Sequence, residues 1–344
     1  MEDPLPVVND VVRQHVENAA FLWAQRDTLT AEDLPDIGAI ASVDGRLEAN
    51  LDALRIAGAG AWPLIIDAFE TYPEKGEVFV TAVRAIETTD ARRVAQAVNF
   101  ARVAEEGARG LCGAFEWLPP EATRGLVREW VHSPDPIKCA AAIAALTAHG
   151  ADPRGLLTGF LKHGDEKVRA AACRLAATLQ RQDAVTPLRQ ALDDPAAVVR
   201  EGAALALAQL GHRDGEEILK SRVAARDEGW EKTLRALVAA LPDAEIRQWL
   251  SGLNGKPESQ IIAVRAAGML GDRSLVPWIV RQMREPALAE AADRSLCELR
   301  PEFAGMDEVR SVDPEVLGPA FAAYFVDDIP LLPVADRVKA ALVE

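Results

Sequence analysis

Residues 165–192 read DEKVRAAACRLAATLQRQDAVTPLRQAL, and the chain repeats the pattern on either side. A shift of 31 residues carries Val168–Arg169 onto Val199–Arg200, Leu179 onto Leu210, Asp183 onto Asp214 and Leu188 onto Leu219, within PAAVVREGAALALAQLGHRDGEEILKSR (195–222). A shift of 31 in the other direction reaches Ile137–Lys138 and Asp152. Leu210–Gly211 returns 60 residues later as Leu270–Gly271, and KTLRALVAALPDAEIRQWLSGL (232–253) fills a degenerate unit between them. Upstream, Ile86 and Trp117 are also 31 apart. A fixed period near 30 is the signature of stacked repeats, none of which buries its apolar face alone.

Within one unit the spacing predicts two helices. Val168, Ala172, Leu175 and Leu179 share a helical face. The turn Arg181–Gln182–Asp183 follows, with Asp183 as the expected N-cap of the second helix and Pro187 in or near its first turn. Gly211 and Gly271 stand where a left-handed residue ends a first helix.

Composition agrees with an all-α chain. Hydrophobic residues make up 49%, much of it alanine, and aromatics only 5%, so strand formers are scarce. The formal net charge of -15 disfavours phosphate backbones and anionic membrane surfaces and leaves a basic protein as the partner it suits. The cysteines, Cys112, Cys139, Cys173 and Cys297, form no C-x-x-C pair and lie in apolar stretches, so they read as small buried hydrophobes in a reducing compartment. MEDPLPVVND lacks the basic start of a signal peptide, and the longest apolar run, CAAAIAAL (139–146), is far short of a membrane span. The expected location is cytoplasmic, and the expected state is monomer or low-order oligomer.

The chain resembles the HEAT family, whose short bacterial form is also called PBS-lyase-like. The residues carrying the likeness are DEKVRAAA (165–172), DPAAVVREGAA (194–204) and AVRAAGMLGD (263–272). The resemblance covers roughly residues 76–300. It implies a right-handed α-solenoid of about seven helical hairpins. It also implies a structural ladder role for Arg169, Arg200 and Arg265, with Asp165, Asp194 or their neighbours as partners.

Residues 1–75 depart from the repeat and read as a helical N-terminal cap. Val8, Val12, Ala19 and Trp23 share one helical face; Leu47, Leu51 and Leu54 share another, and Gly58 ends that second helix. This part is similar to the start of an uncharacterised proteobacterial family, through His15, Leu22, Trp23 and Arg26, then Asp44, Arg46, Leu47, Leu51, Asp52, Leu54, Ala57 and Gly58. Gly45, Asn50 and Ala53 depart from its pattern. Members tend to be encoded near type VI secretion genes, so the resemblance implies a secretion-linked role. Residues 301–344, with five prolines and acidic pairs such as Asp327–Asp328, read as an irregular C-terminal cap ending in the short helix VADRVKAALVE. That cap covers Phe321, Tyr324, Phe325, Ile329, Leu331 and Leu332.

No catalytic, cofactor or metal site is expected. His212–Arg213–Asp214 spells a kinase triplet but falls in a repeat turn without the following Asn or a Gly-rich loop. His15-Val16-Glu17 lacks a P-C-x-x-C partner. His163 with Asp165 is two ligands, short of a metal site. Gly58-Ala59-Gly60 has no preceding strand. Among the helix tryptophans, Trp117, Trp130, Trp230, Trp249 and Trp278, core packing is the ordinary role. Trp230, after the charged run AARDEGW (224–230), is the preferred interface anchor, with Arg226 and Trp249 beside it in the expected contact. Three readings of function stay open: a protein-binding scaffold or adaptor, with an acidic inhibitor of a basic partner as its variant; an enzyme on a HEAT-like scaffold; and a self-assembling structural subunit.

Overall fold

The computed structural model of the protein describes residues 8–32, 36–227, 229–253, 259–325 and 328–342. The first seven residues, Glu228 of the charged run, Asp327 and the last two residues lie outside them. The fold is an all-α solenoid, and its contacts divide the chain into two units, Met1–Ala206 and Leu207–Glu344.

The first unit opens with α1 (Asn9–Ala31), α2 (Ile37–Ala57) and α3 (Ala61–Thr71). Both long helices run past the apolar positions, but Val8, expected on the shared apolar face of α1, precedes that helix and is exposed. A regular alternation follows: α4 (Lys75–Glu87) with α5 (Ala91–Val103), α6 (Gly107–Trp117) with α7 (Pro120–Trp130), α8 (Pro136–Ala148) with α9 (Leu157–Leu161), and α10 (Glu166–Thr178) with α11 (Val185–Ala191). The first helices of these pairs begin 29 to 32 residues apart and pack in succession, α4 on α6, α6 on α8, α8 on α10. The chain then enters α12 (Ala197–Gln209).

Local chemistry sets the helix starts. Asp90, Asp135 and Asp165 each precede a helix and accept its first free amides, Asp165 from Lys167 and Val168. Pro120 and Pro136 occupy first-turn positions, where the missing N–H costs nothing. Gly211 and Gly271 take φ of 80° and 72°, the left-handed conformation that closes a helix without a Cβ clash. Asp183 does not cap α11. It lies in a 3-10 turn, Gln182–Ala184, and its carboxylate pairs with Arg181 at 2.6 Å, so α11 starts after the turn at Val185.

The core of the first unit joins its opening helices to the alternating ones. Trp23 of α1 stacks on Phe79 of α4 with ring centroids 4.7 Å apart, and Trp117 meets the edge of Phe79 at 6.2 Å. Gly113 lets α6 come this close: a Cβ there would stand 2.1 Å from Trp23 Cζ2. Leu22, Leu47, Leu51 and Leu54 are fully buried between α1 and α2, each such burial stabilising by roughly 1.5–3 kcal/mol. Arg26 pairs with Asp44 at 2.6 Å and His15 Nδ1 with Asn50 Oδ1 at 2.8 Å, so polar side chains tie these two helices together, one of them Asn50, which departs from the N-terminal pattern.

The second unit contains α13 (Arg213–Ala225), α14 (Trp230–Ala240), α15 (Asp243–Leu253), α16 (Gln260–Met269), α17 (Val276–Gln282) and α18 (Ala289–Leu299). Here α16 packs on both α14 and α18. Three short helices, α19 (Pro314–Leu317), α20 (Pro319–Tyr324) and α21 (Ala335–Ala341), end the chain together with a feature the sequence pattern does not announce. Strands β1 (Arg310–Ser311) and β2 (Leu332–Pro333) pair antiparallel, Arg310 opposite Pro333. Phe321 and Leu332 are buried and Phe325 and Ile329 pack against them, whereas Tyr324 and Leu331 are more than half exposed, contrary to the expected cover. Among the described residues no helix is long and apolar enough to cross a membrane.

Candidate functional site

Counting back from the residue that ends six of the first helices gives a common register. Leu118, His149, Leu179, Leu241, Leu270 and Arg300 end α6, α8, α10, α14, α16 and α18. Five residues before them stand Gly113, Ala144, Arg174, Ala236, Arg265 and Ser295. In the first unit the small members of this row and their neighbours leave a groove across α6, α8 and α10.

The groove has two connected recesses of about 350 and 310 Å³ that share Glu116, Ala144 and Thr147. Its floor is Gly113, Ala140, Ala144, Ala170 and Ala171, side chains that end at Cβ or before it. Trp117 walls one end. Arg26 lies over that ring, 5.4 Å from the centroid, and the indole N–H donates to Glu48 at 3.1 Å. Cys112 lines the other recess, and burial pushes its thiol up to about 12, so it stays neutral and unreactive near pH 7.

The charges around the groove fall into two classes. Arg109 donates to Asp27 and to Glu116, both at 2.8 Å, and Lys75 pairs with Asp27 at 2.9 Å and Glu106 at 2.8 Å. Burial alone would raise the Asp27 carboxyl, but Lys75 and Arg109 override it and hold the group below the usual carboxylate range. These charges are already neutralised. Lys167 and Arg174, both on α10, are exposed, and among the described residues neither side chain has a hydrogen bond or ion pair.

The ladder arginines are placed differently from one another. Arg169 stands ten residues before Leu179 and grips Asp194 with two bonds of 2.7 and 2.8 Å, while its remaining N–H groups reach the carbonyls of His163 and Gly164. Arg200, ten before Leu210, donates to the carbonyls of Asp194 and Pro195. Asp165, the other expected partner, spends its carboxylate on capping α10. Arg265 does not belong to this row. It stands five before Leu270, in the register of Arg174, and is 1% exposed. Its guanidinium meets Glu231 at 3.1 Å, Glu298 at 2.6 Å and Ser295 Oγ at 2.9 Å. The V-R-A-A string that Arg265 shares with Arg169 sits five residues nearer the end of its helix.

The proposed anchors lie in the second unit. Trp230 opens α14 and Trp249 sits late in α15; both are half-buried against one cluster of Val223, Leu234, Ile262 and Ala266. Arg226 is exposed and ends α13 in a left-handed conformation, φ 52°. Leu250, Ala263, Ala267 and Trp278 line a separate apolar recess of about 310 Å³. His163 and Asp165 serve the backbone, His163 Nδ1 accepting from the Asp165 amide at 3.0 Å. Among the described residues no three His, Cys, Asp or Glu side chains are grouped to hold a metal ion.

Residues 153–254 match the family model described as HEAT repeats, so α9 through α15 fall in a recognised repeat array. No curated protein matches the chain.

Proposed function

We propose that the chain is a non-catalytic protein-binding scaffold whose partner lies in the groove across α6, α8 and α10. HEAT repeats in general mediate protein–protein interaction, and the match over residues 153–254 supports that class of role. The observation that carries the placement is the open floor of Gly113, Ala140, Ala144, Ala170 and Ala171, walled by Trp117 and flanked by two cations that are unpaired among the described residues. Tryptophan and arginine at the edge of a recess are the residues that most often dominate binding energy. The likeness of α1 and α2 to a family encoded near type VI secretion genes supports a secretion-linked setting for this scaffold.

The formal net charge of -15 favours a second reading, an acidic inhibitor that masks a basic partner over the general surface. Affinity capture of the tagged chain from its own cells, at low and high salt with quantitative mass spectrometry, tests both. A stoichiometric partner supports the scaffold. A basic partner that leaves at high salt and ignores substitutions in the groove supports the inhibitor. No partner at either salt contradicts both.

A further inference from the structure

We infer that the groove of the first unit takes an acidic segment of a protein partner and seats a carboxylate at Arg174 and Lys167. This rests on the scaffold reading and supplies the partner's chemistry. The chain carries its own template for the contact. At the register five residues before the helix end, an arginine occurs on both α10 and α16. Arg265 on α16 shows what satisfies a guanidinium there: Glu231 from the preceding first helix at 3.1 Å, Glu298 from the following one at 2.6 Å, and the Ser295 hydroxyl.

Arg174 has no such supply. Cys139 on α8 holds the register of Glu231, ten before the helix end, and burial keeps its thiol neutral. Leu205 holds the register of Ser295. Lys167 stands seven residues before Arg174, so both cations rise from the same face of α10 over Ala170 and Ala171. The acids that line the groove, Glu106 and Glu116, are engaged by Lys75 and Arg109. The spare charge of the groove is therefore positive, on a chain whose formal net charge is -15. An acidic side chain laid on the alanine floor meets two donors that are unpaired among the described residues, whereas a basic one meets carboxylates that Lys75 and Arg109 already hold.

The test selects short random peptides by display on the full chain, then measures one selected synthetic peptide by fluorescence anisotropy. The expected peptides carry Asp or Glu at a fixed position, and exchanging that residue for its amide weakens binding about tenfold or more. Arg174→Glu weakens binding at least as much with an unchanged thermal midpoint, since the side chain has nothing to lose in the free chain; Arg174→Lys retains part of it. Peptides without a fixed acid, no retained peptide, or binding indifferent to Arg174→Glu would overturn the inference. So would displacement of the peptide by inorganic phosphate at equal concentration, which would mark a small-anion site. If the capture experiment still yields a stoichiometric partner in any of those cases, the scaffold reading stands and only the acidic groove falls.

Discussion

Arg174 and Arg265 occupy the same register of their helices, yet Arg174 is exposed with no ion pair or hydrogen bond among the described residues, while Arg265 is 1% exposed between Glu231 and Glu298. One repeat position thus serves two purposes: in the second unit it seals three helices together, and in the first it is left open over a groove. A buried ion pair contributes little net stability compared with an apolar replacement, but removing one partner strands the others.

Replacing Arg265 with Ala should therefore cost about 3 kcal/mol, because Glu231 and Glu298 lose a buried counter-charge and keep only their contacts to the more exposed Arg294 and Arg235. Replacing Arg174 with Ala should stay within about 0.5 kcal/mol. Urea unfolding of the two variants checks the contrast, and equal losses would contradict the assignment of their roles.

Gly113→Ala should destabilise the first unit by about 1–3 kcal/mol despite the better helix propensity of alanine, since the new Cβ would fall 2.1 Å from Trp23 Cζ2. The displaced Trp23 would leave its stack on Phe79, and a shift in tryptophan fluorescence with a lowered Tm reports it. An unchanged Tm would show that α6 can retreat from α1 without loss.

Glu77, in the first turn of α4, has no cationic partner among the described residues, and burial pushes its carboxyl up to about 7, with Glu74 and Glu17 adding to the rise. A raised carboxyl pKa stabilises the fold most below the unfolded value of about 4.3 and loses that contribution as pH climbs through 7. Glu77→Gln should match the parent near pH 4 and exceed it by about 1 kcal/mol at pH 8, after allowance for solvent screening of a partly exposed group. Chemical denaturation across that range measures the difference; a constant gap, or one that opens toward acid, would contradict it.

Trp230→Ala separates the two candidate contact surfaces. The half-buried ring packs on Val223, Leu234, Ile262 and Ala266, so its loss should cost about 2 kcal/mol and leave the partner bound. Loss of the partner at unchanged stability would move the interface to the second unit, beside Arg226 and Trp249.

The repeat and its helix ends were legible because they rest on local rules. A 31-residue period, an aspartate before each clear unit and a glycine after Leu210 and Leu270 each impose their conformation within a few residues. The groove was less legible. Val264–Arg265 reads like Val168–Arg169, and only the helix ends, Leu270 and Leu179, reveal that the two arginines face different ways. Whether an arginine is sealed depends on carboxylates 34 and 33 residues away in sequence, Glu231 and Glu298, which no local pattern announces. The same holds for Trp117, whose place at the groove wall is set by α1 and Arg26, and for the pairing of β1 with β2 across more than twenty residues. Counting the Ala, Gly and Arg residues in one register from the helix ends is the signal that would have pointed to the groove.

Hydrogen–deuterium exchange on the chain with and without its captured partner tests the central claim most directly. Slowed exchange concentrated in α6, α8 and α10, and abolished by Arg174→Glu, is the predicted result. Protection confined to α14 and α15, or scattered without regard to the groove, would contradict it.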